Sequence, residues 1–314
     1  MARAPSAAAR RRAWRHEVAR LLADRHSGVV RRADLIAEGL TDEDIRAEVD
    51  RGVWHRAGCH TLCIAGTEPR GEGLLWWALW ESGPRAVLDG ATSLVVSGLK
   101  HWEASPIDVS VPRNATVRSL PGVRHHVLRD LGPAIPVGLR RTKTDVALLR
   151  AAQWERTDRA AATLVAMTVQ QRLVSTSALM DRWGGTRRCA RRQLLGAVIR
   201  DVCDGSHSIN ELDVVAACRA HGIPAPSRQS TRTVGAGRVY LDLFWDDYGV
   251  HGEIQGAHHQ WGLHGVDDAV RGNALAIDQR DLVSLQIPVL GWRLDPAVFL
   301  DQIASALRRG GWAG

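Results

Sequence analysis

Within YLDLFWDDYGVHGEIQGAHH, from Tyr240 to His259, an aspartate sits in one apolar run and a glutamate in the next. If DDYG, Asp246 to Gly249, is the turn of a hairpin, Trp245 faces Val250 and Asp242 faces Glu253. Leu241 and Leu243 then share a face with Val250 and Ile254. The other face carries Tyr240, Asp242, Phe244, His251, Glu253 and Gln255. Two carboxylates directly across strands repel, and aspartate is disfavoured in strands. A divalent cation between them would turn that cost into attraction, and Mg2+ or Mn2+ suits carboxylate oxygen. There it would polarise a phosphoryl oxygen and activate a water. Without one, the same pair is the solvated face of an ordinary hairpin.

The elements around the hairpin read as helix, hairpin, helix, strand, helix. SINELDVVAACRAHGI is amphipathic, RVYLDLFW and GVHGEIQG are the strands, and VDDAVRGNALAIDQR is a helix. LVSLQIP and VLGWR supply further strand, and PAVFLDQIASALRRGGW closes the chain. A small mixed sheet flanked by helices fits, spanning residues 207–314.

At the other end, residues 1–13 form an arginine-rich stretch without apolar periodicity. It is expected to be a disordered basic arm, either a solvated tail or one that offers Arg10, Arg11 and Arg12 to phosphates. From Trp14 to residue 66 come three short helices and a hairpin around Gly58, a winged helix-turn-helix outline. Thr41 is placed to cap the third helix, with Asp44 three residues on. That helix holds five acids against Arg46 and Arg51, a balance of −3, so it suits base reading poorly. Arg56 in the wing is a better phosphate contact. His55, Cys59, His60 and Cys63 have a spacing superficially like a zinc knuckle, but no second ligand pair follows.

Residues 67–206 read as an α+β and then helical connecting region, with Trp76, Trp77 and Trp80 as core. Its densest basic patch holds Arg187, Arg188, Arg191 and Arg192, with Arg200 further on. It is either a solvated face or a phosphate contact.

Composition agrees with a nucleic-acid partner without requiring one. The net charge is +7, carried almost wholly by arginine; the only lysines are Lys100 and Lys143. No apolar run is long enough for a membrane span, and no secretory segment opens the chain. The five cysteines read as reduced thiols, so a cytoplasmic location is expected.

The pattern D-x10-E-x-[K/Q/D] on a hairpin, behind a helix bearing Glu211, resembles the PD-(D/E)xK nuclease core. Residues 208–312 resemble, more closely, endonuclease-like domains related to the very-short-patch mismatch repair nuclease. The shared features are EIQG, then His258 or His259, then Arg271, Asn273 and Leu275, and the final LRRGGW. Residues 14–66 resemble the winged helix of the AbiEi antitoxin of type IV toxin–antitoxin systems.

The resemblance implies that Asp242 and Glu253 bind the metal and that His258 or His259 acts as general base or orients water. It also implies that Glu211 completes the outer shell. Ser208-x-x-Glu211 is equally a capping box. Gln255 departs from the pattern, since an amide positions water but takes no proton. With no lysine after residue 143, none in this region can substitute.

The sequence therefore leads to an α+β multidomain protein. A winged helix-turn-helix comes first, a helical and α+β middle follows, and a restriction-endonuclease-like α/β core ends the chain. The expected activity is metal-dependent phosphodiester hydrolysis on DNA. The alternatives are a non-enzymatic antitoxin-like repressor, with a toxin or a second copy as partner, and a protein-interaction module.

Overall fold

A computed structural model describes residues 6–204, 211–234, 238–255, 266, 269–270, 273 and 283–314. The chain is mixed α+β and divides into two units. One takes the residues up to Lys143 apart from Ser97–Leu99; the other takes those three and everything from Thr144 on. No helix among the described residues is long and apolar enough to cross a membrane.

Ser6 starts the first unit by capping α1 (Ala7–Asp24), its side chain accepting from the Ala9 N–H. Residues 7–13 are therefore helix and not the disordered arm that their composition suggested. Alanine and arginine are strong helix formers, and side-chain pairing to a later helix supplies what local apolar periodicity does not.

There follow β1 (Val29–Arg31), α2 (Arg32–Ala37), α3 (Asp42–Asp50), β2 (His55–Arg56) and β3 (Thr61–Cys63). The strands form an antiparallel sheet of order β1-β3-β2. Ala19, Val30, Leu35, Leu40, Ile45, Trp54 and Leu62 make the core beneath it. Thr41 caps α3 as expected, and with Asp44 it forms a capping box, each side chain meeting the other's backbone N–H at 3.2 Å.

The rest of the first unit is α4 (Glu72–Ser82), β4 (Val87–Leu88), α5 (Gly90–Val96), β5 (Ile107–Pro112), β6 (Val123–Leu128), β7 (Ala134–Ile135) and β8 (Arg141–Thr142). The five strands form one mixed sheet of order β6-β5-β4-β8-β7. Trp77 is buried, and its indole N–H donates to Ala57 O at 2.9 Å. Trp76 and Trp80 pack edge-on against His26 at 4.6 and 5.1 Å. Trp77 belongs to the core, as expected, whereas Trp76 and Trp80 are half-buried.

The second unit begins with α6 (Thr144–Trp154), α7 (Asp158–Gln170), α8 (Thr176–Gly185) and α9 (Arg192–Asp204). After them come α10 (Glu211–Ala220), β9 (Arg228–Val234), β10 (Arg238–Trp245), β11 (Val250–Gln255), β12 (Val283–Pro288), α11 (Val289–Leu294) and α12 (Pro296–Arg309). The sheet order is β12-β11-β10-β9, antiparallel except for the parallel pair of β11 and β12. α12 covers one sheet face, where Phe299, Leu300, Ile303 and Leu307 join Leu243, Trp245, Val250, Ile254, Leu285 and Ile287. Val214 and Cys218 of α10 enter the same core.

Two elements differ from expectation. β9 is an additional strand, formed by the polar stretch RQSTRTV. VLGWRL is helical: Pro288 precedes it in extended conformation, and Val289, Gly291 and Trp292 are buried at helical spacing.

The hairpin turn is a 3-10 turn at Asp246–Tyr248 closed by Gly249, whose φ of 62° is the left-handed conformation that favours glycine. Gly310, at the end of α12, lies directly against the Tyr248 backbone, where a Cβ has no room. Gly310→Ala is expected to destabilise the second unit by about 1–3 kcal/mol through this clash. Urea unfolding monitored by circular dichroism checks it.

Candidate functional site

The hairpin register is the expected one. Trp245 pairs with Val250, Leu241 with Ile254 and Asp242 with Glu253. Leu243, Trp245, Val250 and Ile254 are buried in the core, and Glu253, between buried neighbours on β11, is out of phase with them. The neighbouring strands extend the acid pair into a polar row across the sheet: Ser230, Asp242, Glu253 and Gln286 occupy matched register positions on β9, β10, β11 and β12. Glu253 is half-buried and Gln286 exposed. The next row is Phe244, His251 and Ser284. There Phe244 stacks on the His251 ring at 4.8 Å, and His251 Nδ1 lies 3.1 Å from the Ser284 hydroxyl.

Glu211 is the first residue of α10, and Gln255 ends β11 opposite Tyr240. His258, His259 and Arg271 lie outside the described residues, as does Ser208. The donor set that faces across β10 and β11 is two carboxylates, which fits a hard divalent cation such as Mg2+ or Mn2+.

Sequence reasoning missed how the free edge of this sheet is closed. β12 is the edge strand, and Asn273, 2 % exposed, pairs with both backbone groups of Gln286. Its amide donates to Gln286 O at 2.8 Å, and its carbonyl accepts from Gln286 N–H at 2.8 Å. The Asn273 amide also reaches the Gln302 side chain at 3.0 Å, and Gln302 donates to Val270 O at 2.9 Å. Asn273 thus holds in place the residue beside Glu253. Its place in the R-x-N-x-L pattern was the available signal.

The basic residues fall into different roles. Arg187 and Arg188 are exposed. Arg191 is a structural group: it donates to the carbonyls of Gln153 and Glu155 at 2.9 and 2.7 Å, where α6 ends, and pairs with Asp158 at 2.6 Å. Arg192 donates to Thr186 O and stacks over Trp183 at 5.0 Å. Arg56 is exposed on β2. The four zinc-like positions diverge: Cys63 is buried, whereas exposed Cys59 has its sulfur 2.7 Å from Arg118 Nη1.

Arg11 and Arg12 pair with acids of α3. Arg11 pairs with Asp44 at 2.6 Å, and Arg15 bridges Asp44, at 2.9 Å, to Glu48. Glu48 is wholly buried, and Arg12, His16 and Arg51 also converge on it, at 3.6, 3.1 and 2.9 Å. Glu48 Oε2 and His16 Nε2 are both buried and lie 3.1 Å apart. The hydrogen bond from Arg11 is the largest influence holding the Asp44 carboxyl down, at about 2. Burial pushes Glu48 up, but Arg15, His16 and Arg12 outweigh it and its pKa falls below the usual range. Two of the five acids on α3 are therefore neutralised from α1. The residues still turned outward are Asp42, Glu43 and Asp50 with Arg46, and Asp42 itself pairs with Arg32.

Compared with known protein families the chain matches none, and a search of curated proteins finds no match.

Three consequences are measurable. Asn273→Ala should cost about 1–3 kcal/mol by leaving backbone groups of β12 without partners, as read by urea unfolding. Asp44 and Glu48, with depressed folded pKa values, stabilise above the unfolded carboxylate range, and that stability is lost as pH falls through the folded values. Melting temperature should therefore drop steeply from about pH 4 towards pH 2, less so in Asp44→Asn. Glu48→Ala at neutral pH leaves Arg15 with Asp44 as its remaining carboxylate partner and should cost about 1–3 kcal/mol.

Proposed function

We propose that this chain is a DNA-associated protein whose C-terminal part hydrolyses phosphodiesters with a divalent metal, in the manner of PD-(D/E)xK nucleases. The observation that carries the reading is the register of Asp242 opposite Glu253 across β10 and β11. It is supported by the position of Glu211 at the start of the helix that leads into the sheet. In this reading α1 to α3 with the β2–β3 hairpin form a winged helix.

Each residue has a defined part. Asp242 and Glu253 would hold Mg2+ or Mn2+, and Glu211 its outer shell. When bound, the metal supplies Lewis acidity towards a phosphoryl oxygen. His258 or His259 accepts a proton from the attacking water. The Gln255 amide orients that water without taking its proton. Arg187 and Arg188, with Arg271, offer charge to the DNA backbone.

The test is incubation of the purified protein with single- and double-stranded DNA plus Mg2+ or Mn2+, beside Asp242→Ala and Glu253→Ala. Metal-dependent cleavage that both substitutions abolish is expected. Cleavage that survives both, or none under any condition, sinks the proposal.

One residue favours a second reading. Gln255 stands where the nuclease pattern has lysine or aspartate, which favours a non-enzymatic, antitoxin-like repressor that keeps the fold for binding. That reading expects salt-sensitive DNA binding without metal and no cleavage.

A further inference from the structure

We propose that the N-terminal half of α1, together with Arg51 at the end of α3, is a docking strip for the phosphate backbone of nucleic acid. It goes beyond the proposed activity and shares with it only the expectation of a nucleic-acid partner.

Residues 7–16 carry Arg10, Arg11, Arg12, Arg15 and His16 and no acid. Counted around the network, Arg11, Arg12, Arg15 and Arg51 give +4 and Asp44 and Glu48 give −2, a surplus of +2 before His16 is counted. The two signs lie at different depths. The side chains of Asp44 and Glu48 are 10 % and 0 % exposed, while those of Arg11, Arg12 and Arg51 are 52 %, 49 % and 49 % exposed. An approaching ligand meets guanidinium groups, with the carboxylates beneath them.

Those groups are held but not used up. Arg12 reaches Glu48 through Nε alone, at 3.6 Å, and Arg51 through Nη1 alone, at 2.9 Å. Each keeps further N–H donors for a second acceptor, and the planar fork suits phosphate. Holding the side chains in place beforehand also lowers the entropy cost of binding. Trp14, 40 % exposed, lies beside the strip with the Arg11 guanidinium 5.7 Å from its ring. Exposed indole among arginines suits a nucleotide surface better than a purely charged partner.

The outward row of α3 has the opposite sign, with Asp42, Glu43 and Asp50 against Arg46. Nucleic acid is therefore admitted from the α1 side and repelled from the α3 side.

The experiment uses the full chain in EDTA, so failure of cleavage cannot mimic failure of docking. Anisotropy of labelled duplex and single-stranded DNA is followed over a salt series. The variants are Arg12→Gln, Arg51→Gln, the double change and Arg25→Gln, whose site is at the far end of α1. Circular dichroism melts confirm folding. Each single change in the strip should weaken binding several-fold and flatten the log–log salt slope by about 0.9 for duplex DNA. The double change should do roughly twice that in slope, and Arg25→Gln should leave affinity within about twofold. Trp14→Leu should weaken single-strand binding without changing the slope. The proposal is overturned if the double variant binds like the parent, or if Arg25→Gln weakens binding as much. It is also overturned if polyglutamate competes as well as DNA, or if the parent binds neither DNA form at low salt.

Discussion

A carboxylate taken out of water must be given hydrogen bonds or an opposite charge, and that demand organises this chain. Among the described residues Asp44, Glu48, Asp89, Asp108 and Asp201 are buried. Four of them are met by arginine. Arg11 and Arg15 hold Asp44, four basic groups hold Glu48, Arg124 with His126 holds Asp108, and Arg293 meets Asp201. Asp89 is different, accepting from the Gly90 N–H and from the Thr142 and Ser110 hydroxyls where α5 begins. With two lysines in the whole chain, cross-linking falls to the guanidinium, whose fork can serve two acceptors at once. Arg15 does this between Asp44 and Glu48, and so fixes α1 on α3.

The same demand explains what could be read from the sequence and what could not. The β10–β11 register was legible because alternation has a period of two. A slip of one residue would turn Leu243, Trp245, Val250 and Ile254 out of the core. The α3 capping box was legible because it closes within four residues. By contrast, residues 7–13 looked like a solvated arm because their partners lie about thirty residues away, on α3. Arg191 looked like one more free charge, yet it binds carbonyls at the end of α6, a tertiary role with no local mark. β9 was hidden for a related reason. RQSTRTV has no apolar alternation, and its pairing with β10 is what makes it a strand.

Charge counted along one helix misleads for the same reason. The −3 of α3 is a sum over residues with two different environments. Asp44 and Glu48 face inward to α1, where they hold arginines in place, and only the remaining acids face outward. An electrostatic argument about recognition has to be made on the surface that two helices present together. There the acids of α3 become the base on which the cations of α1 stand.

The acid pair on the β10–β11 hairpin invites the opposite argument, because among the described residues the sheet is held together elsewhere. Cohesion of that sheet comes from its other face, where α12 covers it, and from the edge, where Asn273 satisfies β12. Facing carboxylates cost some fraction of about 1 kcal/mol, a small loss against a core of this size. A sheet held by that face and that edge can carry two acids opposite each other in register.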